Sequence, residues 1–418
     1  MRRQSWLPTI TPALLNDAVP FEFKKSETRL EATTGHGHGI AIPLRRSWAF
    51  NRVHQFRQNM KAPVLFLLCA SLGVGSLQAA TPAKLSRTNL LQFIANDGGM
   101  REVRSTNDWS LRRQSILRAM QEVMGALPGD NNRVPLDVKI EDEVDGGDYV
   151  RRFLSYASEP GGRVPAYLLV PKAALASTKQ FPGVLALHQT HPLGPKVVVG
   201  LGNSTNDEYG VELARRGYVV LAPAYPLLAN YQPDLKQLGY ESGTMKAIWD
   251  NIRGLDLLES LPFVRRGQFG AIGHSLGGHN AIYTAAFDER IKVIASSCGF
   301  DSYRDYKDGN ITGWTSERYM PRLGRYAPDN YPFDFPEIIA ALAPRTVFIN
   351  APLGDTNFKW RSVDAVSASA RKVFSLYGAA EHLRVEHPDC GHLFPAQIRE
   401  QAYALFDTVL KPEPVVRR

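Results

Sequence analysis

Cysteine is scarce in this chain of 418 residues, which contains three. Cys69 lies in an apolar segment near the N-terminus, so Cys298 and Cys390 remain for the folded body. Two thiols in an oxidising compartment can form a disulfide, but the sequence does not give the distance between them. Whether Cys298 and Cys390 pair is therefore left open.

Charge of one sign is not concentrated on the body of the chain either. The formal net charge is +8, but residues 1–59 contribute nine basic and four acidic side chains, and the other 359 residues carry 40 basic and 37 acidic ones. No basic stripe interleaved with aromatic residues is present, which argues against a nucleic-acid partner. The 44% hydrophobic and 22% charged content excludes disorder throughout and suits a globular protein with a large core.

A long hydrophobic run is also missing. The apolar stretch 63–77 has roughly 15 residues interrupted by two glycines, which is shorter than the ~20 that a membrane span needs. Lys61 precedes it and Ala79 and Ala80 follow it, which is typical of a signal peptide over 60–80. We therefore expect a periplasmic or secreted protein with no stable membrane insertion once the signal is cleaved.

The segment before this signal is unexpected, because an export signal is read at the N-terminus. Residues 1–59 are aperiodic and rich in proline, arginine and glycine, which predicts no core. We expect translation to start at Met60 and residues 1–59 to be a non-native or disordered extension.

The remaining chain is predicted to have a helical leader over 81–130, packed on one catalytic domain over 131–418. Apolar residues at helical spacing predict two helices within 87–127. Alternating runs then predict antiparallel strands at 136–144, 149–158 and 164–171. Near-continuous apolar runs, as expected of strands buried on both faces, follow at 181–188, 217–226, 267–273, 291–297, 345–352 and 383–388. Helical patterns alternate with them at 207–217, 243–261, 277–287, 335–342, 363–377 and 395–410.

This alternation predicts an α/β fold with a mostly parallel central sheet and helices on both faces. An insertion over 300–333 follows the sixth strand of that fold, and no internal repeat is visible. In such a sheet, reactive residues collect at the carboxyl ends of the strands.

A Gly-x-Ser-x-Gly pattern centred on Ser275 marks a candidate nucleophile. The pattern alone is weak, but an apolar strand runs into Gly273 and a helix pattern leaves from Gly277, which is the strand-turn-helix setting of a nucleophile elbow. The alternative is a plain serine in a glycine turn.

A serine nucleophile needs a histidine base, which on this architecture comes late in the chain. His392 lies in the loop beyond the last strand, and we predict it to be the base, because His382 and His387 bracket the strand instead. The competing interpretation, a metal site of His387, Cys390 and His392, lacks a fourth ligand. We expect no metal and no cofactor.

The acid that orients the histidine is predicted to follow the preceding strand. Asp355, five residues beyond Asn350 in a glycine-containing loop, is our first candidate, and Asp301, after strand 291–297, is the second. Either one is otherwise a solvated loop carboxylate.

An acyl-transfer site also needs backbone donors for the developing oxyanion. One is the N–H of Leu276, directly after the nucleophile. The second is expected from the loop after strand 181–188, where the N–H of either Gln189 or Thr190 could be the donor.

These motifs resemble the α/β-hydrolase superfamily, and within it the dienelactone hydrolase and acetyl xylan esterase-like group of secreted bacterial serine hydrolases. The similarity runs from about Trp109 to Leu410, and it implies Ser275 as nucleophile, Asp355 as acid and His392 as base. Ala224 stands where many members have aspartate. The nucleophile is serine rather than the cysteine of dienelactone hydrolases, which disfavours dienelactone as the substrate.

The insertion 300–333 is dense in tyrosine and tryptophan. Trp314 and Tyr319 are our candidates for lining the substrate, since long loops at this end of a sheet often cover the site. The alternative is that these rings pack the insertion onto the body.

The expected function is hydrolysis of carboxylic esters, with a small-molecule or oligosaccharide ester as substrate and acylated carbohydrates as the substrate class considered first. A peptidase of prolyl-oligopeptidase type and a non-catalytic binding module on a hydrolase scaffold are the alternatives. The sequence gives no oligomeric state.

Overall fold

The structure is a computed structural model, and it describes residues 85–328 and 330–412. The predicted extension 1–59 and signal peptide 60–80 lie outside these described residues, so both stay predictions. Within the described ranges, no helix combines the length and the apolar character that a membrane span requires.

The leader contains one helix rather than the two predicted over 87–127. It consists of strands β1 (Gln92–Ile94) and β2 (Met100–Glu102), which pair antiparallel, and helix α1 (Thr106–Met124). The hairpin forms because Gly98 adopts a φ of 80°, a conformation that favours glycine, in the turn between the two strands. The apolar spacing of this short segment fits a strand as well as a helix, and the turn at Gly98 favours the two strands.

Helix α1 packs directly on the body of the protein. Ser105 and Asp108 form a capping box at its start, which satisfies backbone N–H groups there. Its buried face includes Trp109, which is fully inaccessible to solvent. Arg112 donates a 2.5 Å hydrogen bond to Glu337, and both side chains are buried. The leader therefore shares the core of the body.

The central sheet has nine strands. The antiparallel strands are β3 (Lys139–Asp145), β4 (Tyr149–Glu159) and β5 (Gly162–Pro171). The parallel strands are β6 (Phe181–Leu187), β7 (Val219–Pro223), β8 (Val264–His274), β9 (Ile291–Ser297), β10 (Thr346–Asn350) and β11 (Leu383–Glu386). The strand order is β11-β10-β9-β8-β6-β7-β5-β4-β3, with β5 antiparallel to β7. The predicted mostly parallel sheet is confirmed.

Helices cover both faces of this sheet, as predicted. The remaining helices are α2 (Lys172–Leu175), α3 (Tyr209–Arg215), α4 (Gly243–Ser260), α5 (Leu276–Phe287), α6 (Phe335–Ala340), α7 (Trp360–Leu376) and α8 (Ala396–Leu410). On β6, Leu185 and Leu187 join a core with α1, α4, α5, α6 and α7, whereas Val184 and Ala186 join a second core with α3 and α8. Successive side chains of a strand point to opposite faces, so one strand feeds both cores.

The order in which the chain adds strands to the sheet reverses direction at β6. Strand β7 lies on one side of β6 and β8 lies on the other, so their carboxyl ends border a crevice of the kind in which α/β folds bind ligands. The insertion 300–333 follows β9, which is the seventh strand of the sheet along the chain and not the sixth as predicted, because the exposed strand β3 also pairs into the sheet. The insertion therefore starts at the same edge of the sheet as this crevice.

Candidate active site

Ser275 lies in the sharp turn between β8 and α5. Its φ of 53° and ψ of −119° are unusual for a residue with a side chain, which indicates local backbone strain. The turn requires glycine on both sides. A Cβ on Gly273 would lie 2.2 Å from the carbonyl carbon of Gly277, and one on Gly277 would lie 1.9 Å from the Leu187 oxygen. The Ser275 N–H donates to Ser297 O at 2.8 Å, which anchors the strained residue to β9.

His392 and Asp355 form a close pair in two loops at the same end of the sheet. His392 Nδ1 lies 3.0 Å from each carboxylate oxygen of Asp355. The side chain of Asp355 is 2% exposed, and that of His392 is 23% exposed, so the imidazole shields the carboxylate. A hydrogen bond from Gly354 N–H to Cys390 O, at 3.0 Å, ties the two loops together.

The environment of Asp355 favours its ionised form. Burial acts to raise its pKa, but the hydrogen bond and charge of His392 act in the other direction, as do the N–H groups of Asn357 and Phe358, and the pKa of the carboxyl ends below its usual value. The N–H groups lie 2.7 Å and 3.2 Å from Asp355 Oδ1. The carboxylate is therefore held in place to accept the Nδ1–H of His392.

Asp301, our second candidate acid, has a different partner. Its Oδ2 accepts the backbone N–H of Lys359 at 3.0 Å, and its Oδ1 is buried with no hydrogen-bond partner among the described residues. Burial raises the pKa of Asp301 to about 7, even though the Lys359 N–H acts to lower it. The structure thus pairs His392 with Asp355, not with Asp301.

The raised pKa of Asp301 predicts a pH-dependent stability. Because the folded protein holds this proton up to about pH 7 and the unfolded chain loses it near pH 4, ionisation of Asp301 destabilises the fold as the pH rises through this window. Asp301→Asn should have little effect on the free energy of unfolding at pH 4, and should stabilise the protein relative to wild type by about 2–4 kcal/mol at pH 8. Urea denaturation at both pH values measures the difference, and a constant offset between them would contradict it.

Ser275 and His392 border one open cleft of about 490 Å³. Gln189, Thr190 and Tyr319 also line it. The backbone N–H groups of Gln189 and Thr190 make no hydrogen bond to any acceptor in the described part of the chain. Both N–H groups are therefore available as the second oxyanion donor.

The insertion contributes aromatic side chains to the site and to the core. Tyr303 and Tyr331 are buried, and their rings pack 5.6 Å apart, which is the packing role that we left open. Tyr319 lines the open cleft. Trp314 is 4% exposed and lines a smaller cavity that adjoins the cleft at Ser275, together with Leu276. Tyr319 thus borders both the cleft and the smaller cavity, whereas Trp314 borders the smaller cavity.

Two histidines of the site escaped the sequence analysis. His274 is buried, its ring centroid lies 4.8 Å from that of His392, and its Nδ1 lies 2.9 Å from Ser297 Oγ. Burial lowers the pKa of His274 to about 3, so it is neutral beside the candidate base. His279 lines the small cavity. Their positions in the sequence could have indicated them. His274 directly precedes Ser275, and His279 follows it by four residues, which is about one helical turn.

The structure forms neither the Cys298–Cys390 disulfide nor the metal site of His387, Cys390 and His392 that was considered from the sequence. Cys298 and Cys390 are both free, so the disulfide is not formed. His387 contacts Asp364 at 2.8 Å instead of joining Cys390 and His392. Among the described residues, the ligand atoms that lie within 4.8 Å of one another are those of Cys298, Asp355 and His392.

The chain is similar to proteins described as hydrolases and esterases. No protein-family model matches it. It is 27% identical over 252 residues to the "Putative hydrolase YtaP" of Bacillus subtilis (strain 168), which covers 57% of this chain and 81% of that protein.

Solved structures extend the likeness over most of the described body. A glucuronoyl esterase from Solibacter usitatus is 20% identical with a TM-score of 0.61, over 79% of this chain and 100% of that one. A carbohydrate esterase family 15 glucuronoyl esterase from Caldicellulosiruptor kristjansonii is 20% identical with a TM-score of 0.57, over 77% and 90%. A "putative acetyl xylan esterase" from Bacteroides fragilis is 19% identical with a TM-score of 0.51, over 72% and 87%. These similarities confirm the predicted resemblance: the chain has the α/β-hydrolase fold, and the proteins that it is similar to are hydrolases and carbohydrate esterases by their descriptions.

Proposed function

We propose that this chain is a serine hydrolase that cleaves carboxylic esters through an acyl-enzyme on Ser275. One observation carries the proposal. The strained turn at Ser275 borders the same cleft as His392, and Nδ1 of His392 lies 3.0 Å from the buried carboxylate of Asp355. A serine, a base and an acid in this arrangement are the requirements for activating a hydroxyl group.

Each group has a defined role in the reaction. His392 Nε2 accepts the proton of the Ser275 hydroxyl as Oγ attacks the ester carbonyl, while Nδ1–H donates to Asp355. The Leu276 N–H, with that of Gln189 or Thr190, stabilises the oxyanion. The imidazolium then returns the proton to the departing alcohol, and water cleaves the acyl-enzyme by the same steps in reverse.

The substrate class that we propose is an ester of a carbohydrate, acted on outside the cytoplasm. The solved structures with a similar fold are described as carbohydrate esterases. The open cleft beside Ser275 suits a large polar alcohol, because Asn206, Asp207 and Asn357 supply hydrogen-bonding groups along its wall. Export rests on the signal peptide predicted over 60–80.

A fluorophosphonate probe tests the nucleophile directly. We expect covalent labelling of the wild type and no labelling of Ser275→Ala. Ser302→Ala, which changes a serine of the insertion whose hydroxyl bonds to Asp334 and which does not line the cleft, serves as the matched control and should label normally. Equal labelling of wild type and Ser275→Ala would remove the catalytic assignment.

A substrate panel separates the ester hydrolase from its alternatives. Short p-nitrophenyl esters, acetylated xylan and short peptides are offered to the same enzyme. Hydrolysis of the esters supports the proposal, whereas hydrolysis of peptides alone would indicate a peptidase. No turnover and no probe labelling would indicate a binding module.

A further inference from the structure

A small cavity lies directly beside Ser275 and adjoins the main cleft. Its volume is about 50 Å³, and its walls are formed by Leu276 and His279 of α5, Tyr306, Trp314 and Tyr319 of the insertion, and Phe358. Ser275, Tyr306, Tyr319 and Phe358 also border the cleft, so the two spaces meet at the nucleophile. This cavity has room for about two water molecules, and therefore for a group of only a few non-hydrogen atoms.

Two side chains of this cavity carry polar atoms that nothing in the described part of the chain satisfies. His279 is fully buried, and both of its ring nitrogens lack a hydrogen-bond partner. Trp314 is 4% exposed, and its Nε1–H also lacks an acceptor. Buried polar groups are nearly always paired in folded proteins, and leaving one unpaired destabilises the fold. Two such residues around one cavity indicate that its occupant supplies a polar atom.

Aromatic rings pack against His279 and hold its orientation. The ring of His279 lies 4.0 Å from that of Tyr283, 4.9 Å from that of Trp314 and 5.9 Å from that of Tyr319, measured between centroids. Burial lowers the pKa of His279 to about 3, so the ring is neutral and carries one N–H donor and one acceptor nitrogen. A hydroxyl group, which both donates and accepts, complements such a site.

The position of the base decides which part of an ester enters each space. His392 borders the cleft and does not border the small cavity. The departing alcohol must receive its proton from His392, so the alcohol lies in the cleft. Leu276, whose N–H faces the developing oxyanion in the proposed reaction, lines the cavity. The acyl chain attached to that carbonyl therefore extends into the cavity.

We propose, on the basis of the proposed esterase function, that this cavity is the acyl subsite, and that it selects a short 2-hydroxyacyl group whose hydroxyl bonds to His279 and Trp314. The acyl group passes from the substrate to Ser275 Oγ: the new Oγ–C bond forms, the ester C–O bond breaks, and the proton of Ser275 leaves with the alcohol through His392. Water then releases a 2-hydroxy acid. His279 and Trp314 determine specificity and take no part in the proton transfer.

The methyl esters of glycolate and propionate test this proposal, because they differ by the exchange of a hydroxyl for a methyl group. The ratio of their kcat/KM values is measured by pH-stat titration and divided by the ratio of their rates of hydroxide-catalysed hydrolysis, which corrects for intrinsic reactivity. We expect a corrected preference for glycolate of about tenfold, and a loss of at least tenfold from propionate to hexanoate, which exceeds the cavity.

His279→Phe keeps an aromatic ring and removes both nitrogens, so it should abolish the preference for glycolate and retain the activity on propionate. Trp314→Phe is the second variant and should weaken the preference, whereas Trp360→Phe, outside the cavity, should leave it unchanged. An unaltered preference in both His279→Phe and Trp314→Phe would overturn the proposal, as would hexanoate turnover equal to that of propionate. If either result is obtained while turnover still depends on Ser275, the acyl subsite alone is overturned. Turnover that survives Ser275→Ala overturns the proposed function itself.

Discussion

Asp355→Asn should lower kcat for ester hydrolysis by roughly 10⁴-fold with little change in KM. The carboxylate accepts the Nδ1–H of His392 at 3.0 Å, which leaves Nε2 free to take the proton of Ser275. An asparagine of the same size presents an N–H toward the ring, favours the wrong tautomer, and removes the negative charge that stabilises the imidazolium. Steady-state kinetics on a short-chain ester measure the loss, and fluorophosphonate labelling should slow in parallel.

Asp301→Asn is the matched control for this substitution, because Asp301 is also a buried aspartate after a neighbouring strand. Its carboxylate bonds to the backbone of Lys359, so its replacement should change kcat by no more than a few fold. If Asp301→Asn lost activity as severely as Asp355→Asn, or if Asp355→Asn kept most of its activity, the assignment of the acid to Asp355 would be wrong.

Lys246→Met should destabilise the fold by about 3–5 kcal/mol, because Lys246 is the cation of a buried charge cluster. Its ammonium is fully inaccessible to solvent, lies 3.0 Å from Glu159 Oε1 and donates to Asp250 Oδ1. Tyr240 donates to Glu159 at 2.5 Å and Tyr231 to Asp250 at 2.9 Å, so both carboxylates are otherwise satisfied. Methionine fills the same space but leaves two carboxylates buried without a counterion.

Urea denaturation at pH 8 measures the loss. Lys172→Met is the control, because Lys172 lies 2.7 Å from Asp145 in an ion pair whose side chains are 46% and 69% exposed. Such a pair contributes at most about 1 kcal/mol. A loss in Lys246→Met no larger than in the control would show that the cluster does not need its cation.

The double variant Lys246→Met with Asp250→Asn separates charge from packing. Burial raises the pKa of Asp250 to about 6 even in the presence of Lys246, so replacing this carboxylate with a neutral amide removes a buried charge that the fold disfavours. The double variant should therefore recover part of the stability that the single variant loses. No recovery would assign the loss to packing instead.

The buried strands of the sheet were predictable because a strand covered on both faces has to be apolar throughout. The run 291–297 coincides with β9, and the run 181–188 differs from β6 by one residue. The leader hairpin was not predictable from apolar spacing, since strands of three residues are too short to show a period of two. The turn at Gly98, and not the apolar pattern, decided that segment.

The candidate site was predictable where the chain order of the fold carried the information. Ser275 followed from a strand, a glycine turn and a helix that are contiguous in the chain. His392 followed from its place after the last strand. The choice between Asp355 and Asp301 depended on which of two loops reaches the imidazole, and no local pattern encodes the relative positions of two loops.

The sequence by itself determined the α/β alternation and the serine turn, because each depends on residues that are neighbours in the chain, and the order of the three candidate catalytic residues is read directly from their positions. Only the tertiary structure decided that Asp355 contacts His392, that Cys298 and Cys390 are free thiols, and that His279 and Trp314 line a cavity beside Ser275. Those contacts join a helix, an insertion and separate loops, and their distances depend on how these segments pack on one sheet.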